Sequence, residues 1–147
     1  MKTLVLLLFL MIPVNIFSQG IALSIGYQHL GRSAGFSGVD FRISDSEKGE
    51  YAFNIGAGTY WVSIHKKFTA IPEFHVNYAV GHILLTELSV STKNFKPSVG
   101  INFLNASHVN FGYSFGFKND KHLQGIFLGL NFYLGTKSFY DNLARMK

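Results

Sequence analysis

From Val109 the chain alternates without a fault. Val109, Phe111, Tyr113, Phe115 and Phe117 fall on one parity, and Asn110, Gly112, Ser114 and Gly116 on the other. A helix would spread these residues around its circumference, whereas a strand sets them on opposite faces. The run from Gly125 repeats the pattern, with Ile126, Leu128, Leu130, Phe132 and Leu134 opposing Gly125, Phe127, Gly129, Asn131 and Tyr133. The same period returns upstream, in Ile21 to Gln28, Gly38 to Ile43, Tyr51 to Trp61, Glu73 to Val80, Ile83 to Val90 and Ser98 to Phe103, least cleanly around Ile83. It predicts eight strands, over 20–30, 36–44, 51–63, 69–81, 83–92, 96–104, 108–117 and 124–135. Gly31 to Gly35, Asp45 to Gly49, Asn105 to Ser107 and Lys118 to Lys121 supply turn chemistry between them. Short connections make neighbours antiparallel, so the expected fold is all-β, an eight-stranded up-and-down barrel filling 19–135 as one domain.

The first 18 residues read as an address. Lys2 precedes an apolar run from Leu4 through Ile12, with Ser18 as a small residue where a peptidase cuts. Pro13 and Asn15 interrupt a stretch already shorter than the ~20 residues of a spanning helix, which disfavours an anchor. Export with a cleaved signal peptide is expected. The chain has no cysteine, so disulfide frameworks, zinc–cysteine sites and a lipoprotein are excluded. A net charge of +5 might suggest nucleic acid, but 48% hydrophobic residues and only 14% charged ones argue against that partner.

Which face points outward decides the environment. A soluble lipocalin-like barrel needs charged exterior positions, yet the polar parity here is mostly Gly, Ser, Asn and Ala. Such residues suit the crowded inside of a narrow barrel. The Leu, Ile, Val, Phe and Tyr parity suits lipid, and Tyr27, Trp61, Phe117 and Phe132 suit aromatic girdles. On the Ile16-Phe17-Ser18-Gln19 ending and the closing run Gly125 to Gly135, the chain resembles the small eight-stranded outer-membrane β-barrels of Gram-negative bacteria, of the OmpX and OmpW style and the Bacteroidota type. That resemblance implies an outer-membrane location. Many such barrels end on an aromatic residue, whereas here about a dozen residues follow Leu134.

The inward parity carries the candidate chemistry. Asp40, Arg42, Glu73, His75 and Glu87 are expected to form an interior polar network, with Arg42 as the cation among the acids and no cofactor implied. An alternative makes Glu73, His75 and Glu87 an acid/base or metal set. A nucleophilic centre is poorly supported. The arrangement of an outer-membrane lipid A deacylase, with His and Ser two residues apart, is matched locally only by His108-Val109-Asn110, so no enzyme is expected. Gly56-Ala57-Gly58 lies within a strand and lacks the context of a phosphate loop.

With a periplasmic N-terminus, the outward rim gathers Arg32, Lys66, Lys67, Lys93, Lys96, Lys118 and Lys121, a set suited to the phosphates of lipopolysaccharide and other outer-membrane lipid. Residues 136–147 form a periplasmic tail. On a helical turn Phe139, Tyr140, Leu143 and Met146 share one face, expected to dock on the inner-leaflet interface or on an envelope protein partner. The functional expectation is a non-enzymatic barrel with a structural or accessory envelope role. Its rival is a carrier of small apolar ligands, in the membrane or soluble.

Overall fold

Large side chains every second residue favour extended backbone, because on a pleated strand they stand clear of one another. The computed structural model describes residues 20–45, 51–64, 67–81, 83–117 and 120–140. The strands are β1 (Ile21–Leu30), β2 (Ser33–Asp45), β3 (Tyr51–Ile64), β4 (Lys67–Val80), β5 (Leu84–Ser91), β6 (Asn94–Phe103), β7 (Ser107–Gly116) and β8 (Gly125–Gly135). Each pairs antiparallel with its neighbours in sequence, and β8 returns to β1 to close the barrel. Closure leaves no strand edge to pair with another chain. Residues 1–19, with the expected signal peptide, residues 46–50, His65, Lys66, His82, Lys118, Asn119 and residues 141–147, with Leu143 and Met146, lie outside the described residues.

Strand count and face parity match the alternation, and the boundaries differ where hairpins set them. The first hairpin needs only Gly31 and Arg32, with Gly31 at φ +70° and Leu30 N–H donating to Arg32 O at 2.9 Å. Ser33, Ala34 and Gly35 therefore continue the ladder, opposite His29, Gln28 and Tyr27. β6 likewise begins two residues before its expected start, with Asn94 opposite Gly116. The β6–β7 turn is made by Leu104 and Asn105, both at positive φ, and Ile83 sits exposed in a turn instead of facing inward.

The interior is stratified along the barrel axis. The end away from both termini, here the far end, holds an apolar cluster of Leu30, Ala34, Phe36, Tyr60, Val62, Ile71, Leu123 and Phe127. A 3-10 turn over Lys121–Leu123 drops Leu123 into that mouth. The middle is polar and charged. At the terminal end one helical turn, α1 (Lys137–Tyr140), carries Phe139 into the bore against Ala22 and Tyr133. The outer wall reverses this order, with Leu23, Phe74, Leu88, Phe111, Leu128 and Leu134 all exposed.

Candidate functional site

All five residues expected in the interior network are buried: Asp40, Arg42, Glu73, His75 and Glu87. They do not converge on Arg42. The cation on Glu73 is Lys96, whose Nζ donates to Glu73 Oε2 and, at 2.8 Å, to Gln28 Oε1. Lys96 was expected on the outward rim, and it is instead fully buried. The reason is register. Once β6 starts at Asn94, Lys96 shares inward parity with Ser98 and Asn102. The rings of Tyr60 and Phe127 each lie 5.0 Å from its ammonium, so the charge is enclosed by one carboxylate, one amide oxygen and two π faces.

Arg42 points toward the terminal end. Its Nε donates to Asn54 Oδ1 at 3.1 Å, and its guanidinium lies 4.7 Å from the centroid of Phe139. Asn54 Nδ2 donates in turn to Asn77 Oδ1 at 2.7 Å. Between the two cations sit two histidines, each near an acid. His75 Nε2 donates to Asp40 Oδ1 at 2.8 Å, His108 Nε2 stands 3.6 Å from Glu87 Oε2, and Ser89 Oγ donates to Glu87 Oε1 at 3.1 Å. Gly56 makes the first pair feasible, because a Cβ there would fall 2.2 Å from His75 Nε2. Among the described residues, no group of three or more His, Asp and Glu could hold a metal ion.

His108 and Ser114, the residues nearest to a nucleophile–base set, serve the wall. Ser114 Oγ donates to Leu123 O at 2.5 Å and accepts from Asn94 Nδ2 at 2.7 Å, while Asn131 Nδ2 donates to His108 Nε2 at 2.9 Å. A small interior cavity of about 10 Å³, bounded by Arg42, Asn77, His108 and Tyr133, has room for about one water.

The bore is stopped at both ends. Leu123 is clamped by the Asn94–Ser114 relay, and Tyr60 Oη donates to Asn94 Oδ1 at 3.0 Å. Phe139, expected on a lipid or partner surface, is buried in its own barrel, and Tyr140 is tied beside it. Its hydroxyl donates to Tyr133 O at 2.5 Å and accepts from Gly135 N–H at 2.7 Å. Gly20, at φ +102°, admits this turn, since a Cβ would meet Phe139 N at 2.7 Å.

Of the expected rim, Arg32, Lys67 and Lys121 are exposed at the far end, with Arg32 Nη1 donating to Ser63 O at 3.2 Å. Lys93 is half-buried and paired with Asp120 Oδ1 at 2.8 Å. The interior role of Lys96, the stopper Leu123 and the inward Phe139 were missed by sequence reasoning, and parity within β6 was the available signal for the first.

No protein-family model matches this chain, and no curated protein matches it. A solved structure that aligns with it is the outer membrane protein Ail of Yersinia pestis in a phospholipid bilayer nanodisc. The two are 10% identical, the alignment covers 79% of this chain and 99% of that one, and the TM-score is 0.38.

Proposed function

We propose that this chain is an outer-membrane β-barrel with a non-enzymatic, structural or accessory role in the envelope, its bore closed to solutes. The observation that carries the reading is the inversion of the two faces. Phe111 is 58% and Leu134 65% exposed, whereas Asp40, Arg42, Glu73, Glu87 and Lys96 are buried. In water the outer wall would be one continuous apolar patch, far beyond the few hundred Å² a soluble monomer exposes. In a bilayer the same wall is matched to its solvent, and every backbone polar group of a closed ladder is satisfied. Among the described residues the bore is filled by side chains, which favours a closed barrel over a lipocalin-like carrier.

With the termini in the periplasm, Arg32, Lys67 and Lys121 stand at the lipopolysaccharide leaflet, and Leu123 stops the outward mouth. Phe139 and Tyr140 belong to the barrel itself, which leaves partner docking to the tail beyond them. Fractionation tests the reading. The protein is expected in the outer-membrane fraction with heat-modifiable migration in mild detergent, and planar bilayers should record no stable conductance. Recovery in a soluble periplasmic extract would sink it.

A further inference from the structure

One cluster in the bore brings together more chemistry than an ion pair needs. Lys96 Nζ donates to Glu73 Oε2 on one side and, at 2.8 Å, to Gln28 Oε1 on the other. An amine nucleophile, a proton carrier and an acyl amide therefore meet at one nitrogen, and all three side chains are buried. The carbon of the Gln28 amide lies one bond beyond the accepting oxygen, so a small turn of the amide presents it to Nζ.

Three strands supply the groups: β1 carries Gln28, β4 carries Glu73 and β6 carries Lys96. The ladder pairs β1 with β2 and β8, and β6 with β5 and β7, so the contact between Gln28 and Lys96 crosses the bore. A closed ladder holds the reactants in place, which makes a reaction between them intramolecular. Water is kept out. The rings of Tyr60 and Phe127 lie 5.0 Å from the ammonium, and both belong to the apolar cluster that, with Leu123, closes the far mouth. An ion pair in such a place carries a desolvation cost that a neutral product escapes.

We infer that Lys96 and Gln28 condense into an intramolecular isopeptide bond, with Glu73 as the catalytic acid and base and ammonia as the leaving group. Lys96 Nζ passes one proton to Glu73 Oε2, which leaves an amine and a carboxylic acid. The amine lone pair adds to Gln28 Cδ, forming the Nζ–Cδ bond and moving the carbonyl π pair onto Oε1. Glu73 gives its proton to Gln28 Nε2 and takes the surplus proton from Nζ. Collapse of the oxyanion restores the carbonyl, breaks the Cδ–Nε2 bond and releases ammonia. An ammonium, a carboxylate and a primary amide thus become a secondary amide, a carboxylic acid and ammonia, and the buried ion pair disappears. The bond ties β1 to β6, which no ladder joins, and braces the barrel by restricting its unfolded chain. The step occurs once per chain and turns over no substrate, so it adds to the envelope reading without replacing it.

The test is peptide mapping of the full chain by mass spectrometry, held unfolded in urea and, separately, folded in detergent micelles. The folded protein should yield a branched peptide that joins Gln28 to Lys96 with the loss of one ammonia, and the urea-held chain only linear peptides. Fragmentation that places the branch at these two residues separates it from cyclisation of an N-terminal glutamine, which loses the same mass. Gln28→Ala keeps the Lys96–Glu73 pair and should still fold. After boiling in detergent it should migrate more slowly than the wild type, whose internal link keeps the unfolded chain compact. In folded Glu73→Gln the branched peptide should form on the order of 100-fold more slowly. A folded wild type in which Gln28 and Lys96 occur only in linear peptides overturns the bond. A Glu73→Gln barrel that cross-links at the wild-type rate overturns the role of Glu73.

Discussion

The two ends of the bore are closed by different means. At the far end Leu123 hangs from a connection anchored in β7 and β8, and an unbroken relay from Tyr60 through Asn94 and Ser114 reaches its carbonyl. At the terminal end Phe139 hangs from the segment that follows β8. Its hold is local: Phe139 N–H donates to Thr136 O, Thr136 N–H donates to Ile21 O, and Tyr140 clips back to β8. Each stopper covers a cation, Lys96 at the far end and Arg42 at the terminal end. Lys96 is paired with the buried carboxylate of Glu73, and Arg42 donates to the amide of Asn54 with its guanidinium over the Phe139 ring. A narrow barrel thus closes one end as part of its covalent circuit and the other with a strap.

The largest effect is expected at Lys96. Lys96→Met strands Glu73 in the bore and should cost about 3–5 kcal/mol, read as a lowered urea midpoint of the folded barrel. Adding Glu73→Gln should recover much of it. An unchanged urea midpoint for Lys96→Met would mean that the buried Lys96–Glu73 pair does not hold the fold.

Next come the stoppers. Phe139→Ala should cost about 3 kcal/mol from lost packing against Ala22, Tyr133 and Arg42. Ending the chain at Thr136 should cost more than that single change, because the bonds of Tyr140 to Tyr133 O and Gly135 N–H go with it. Leu123→Ala should cost about 2–3 kcal/mol, and its loop should stay protected from protease because the Ser114 and Lys93 bonds remain. If the far loop becomes the earlier protease site, the strap and the circuit have been assigned to the wrong ends.

The smallest effect lies in the β6–β7 turn. Leu104 is held at φ 52°, a conformation that costs a non-glycine residue about 1 kcal/mol or more. Leu104→Gly should therefore raise the thermal midpoint slightly. A fall would mean that Leu104's side chain contributes more than its backbone loses.

The barrel was legible because the period of two does not depend on neighbours. Any strand of Val109 to Phe117 separates its faces by itself, and short turns leave little choice of topology. Arg42 and Lys96 exchanged roles for a different reason. Parity tells which residues face inward but not how high each stands along the bore, and height depends on stagger between strands. Lys96 was hidden further because Pro97, three residues after the true start at Asn94, interrupts the alternation of β6. Phe139 was expected to lie on a lipid or partner surface. That the surface is the chain's own barrel follows from Gly20 and Thr136, whose backbone geometry has no periodic trace.

The inversion of faces is tested most directly by single cysteines along β7 in the intact membrane. Phe111→Cys and Phe115→Cys should react with a lipid-soluble maleimide and resist a membrane-impermeant one. Leu128→Cys on the adjacent β8 should behave in the same way. Asn110→Cys, pointing into a closed bore, should resist both reagents until the barrel is unfolded. Aqueous labelling of Phe111→Cys or Leu128→Cys in the folded protein would contradict the account.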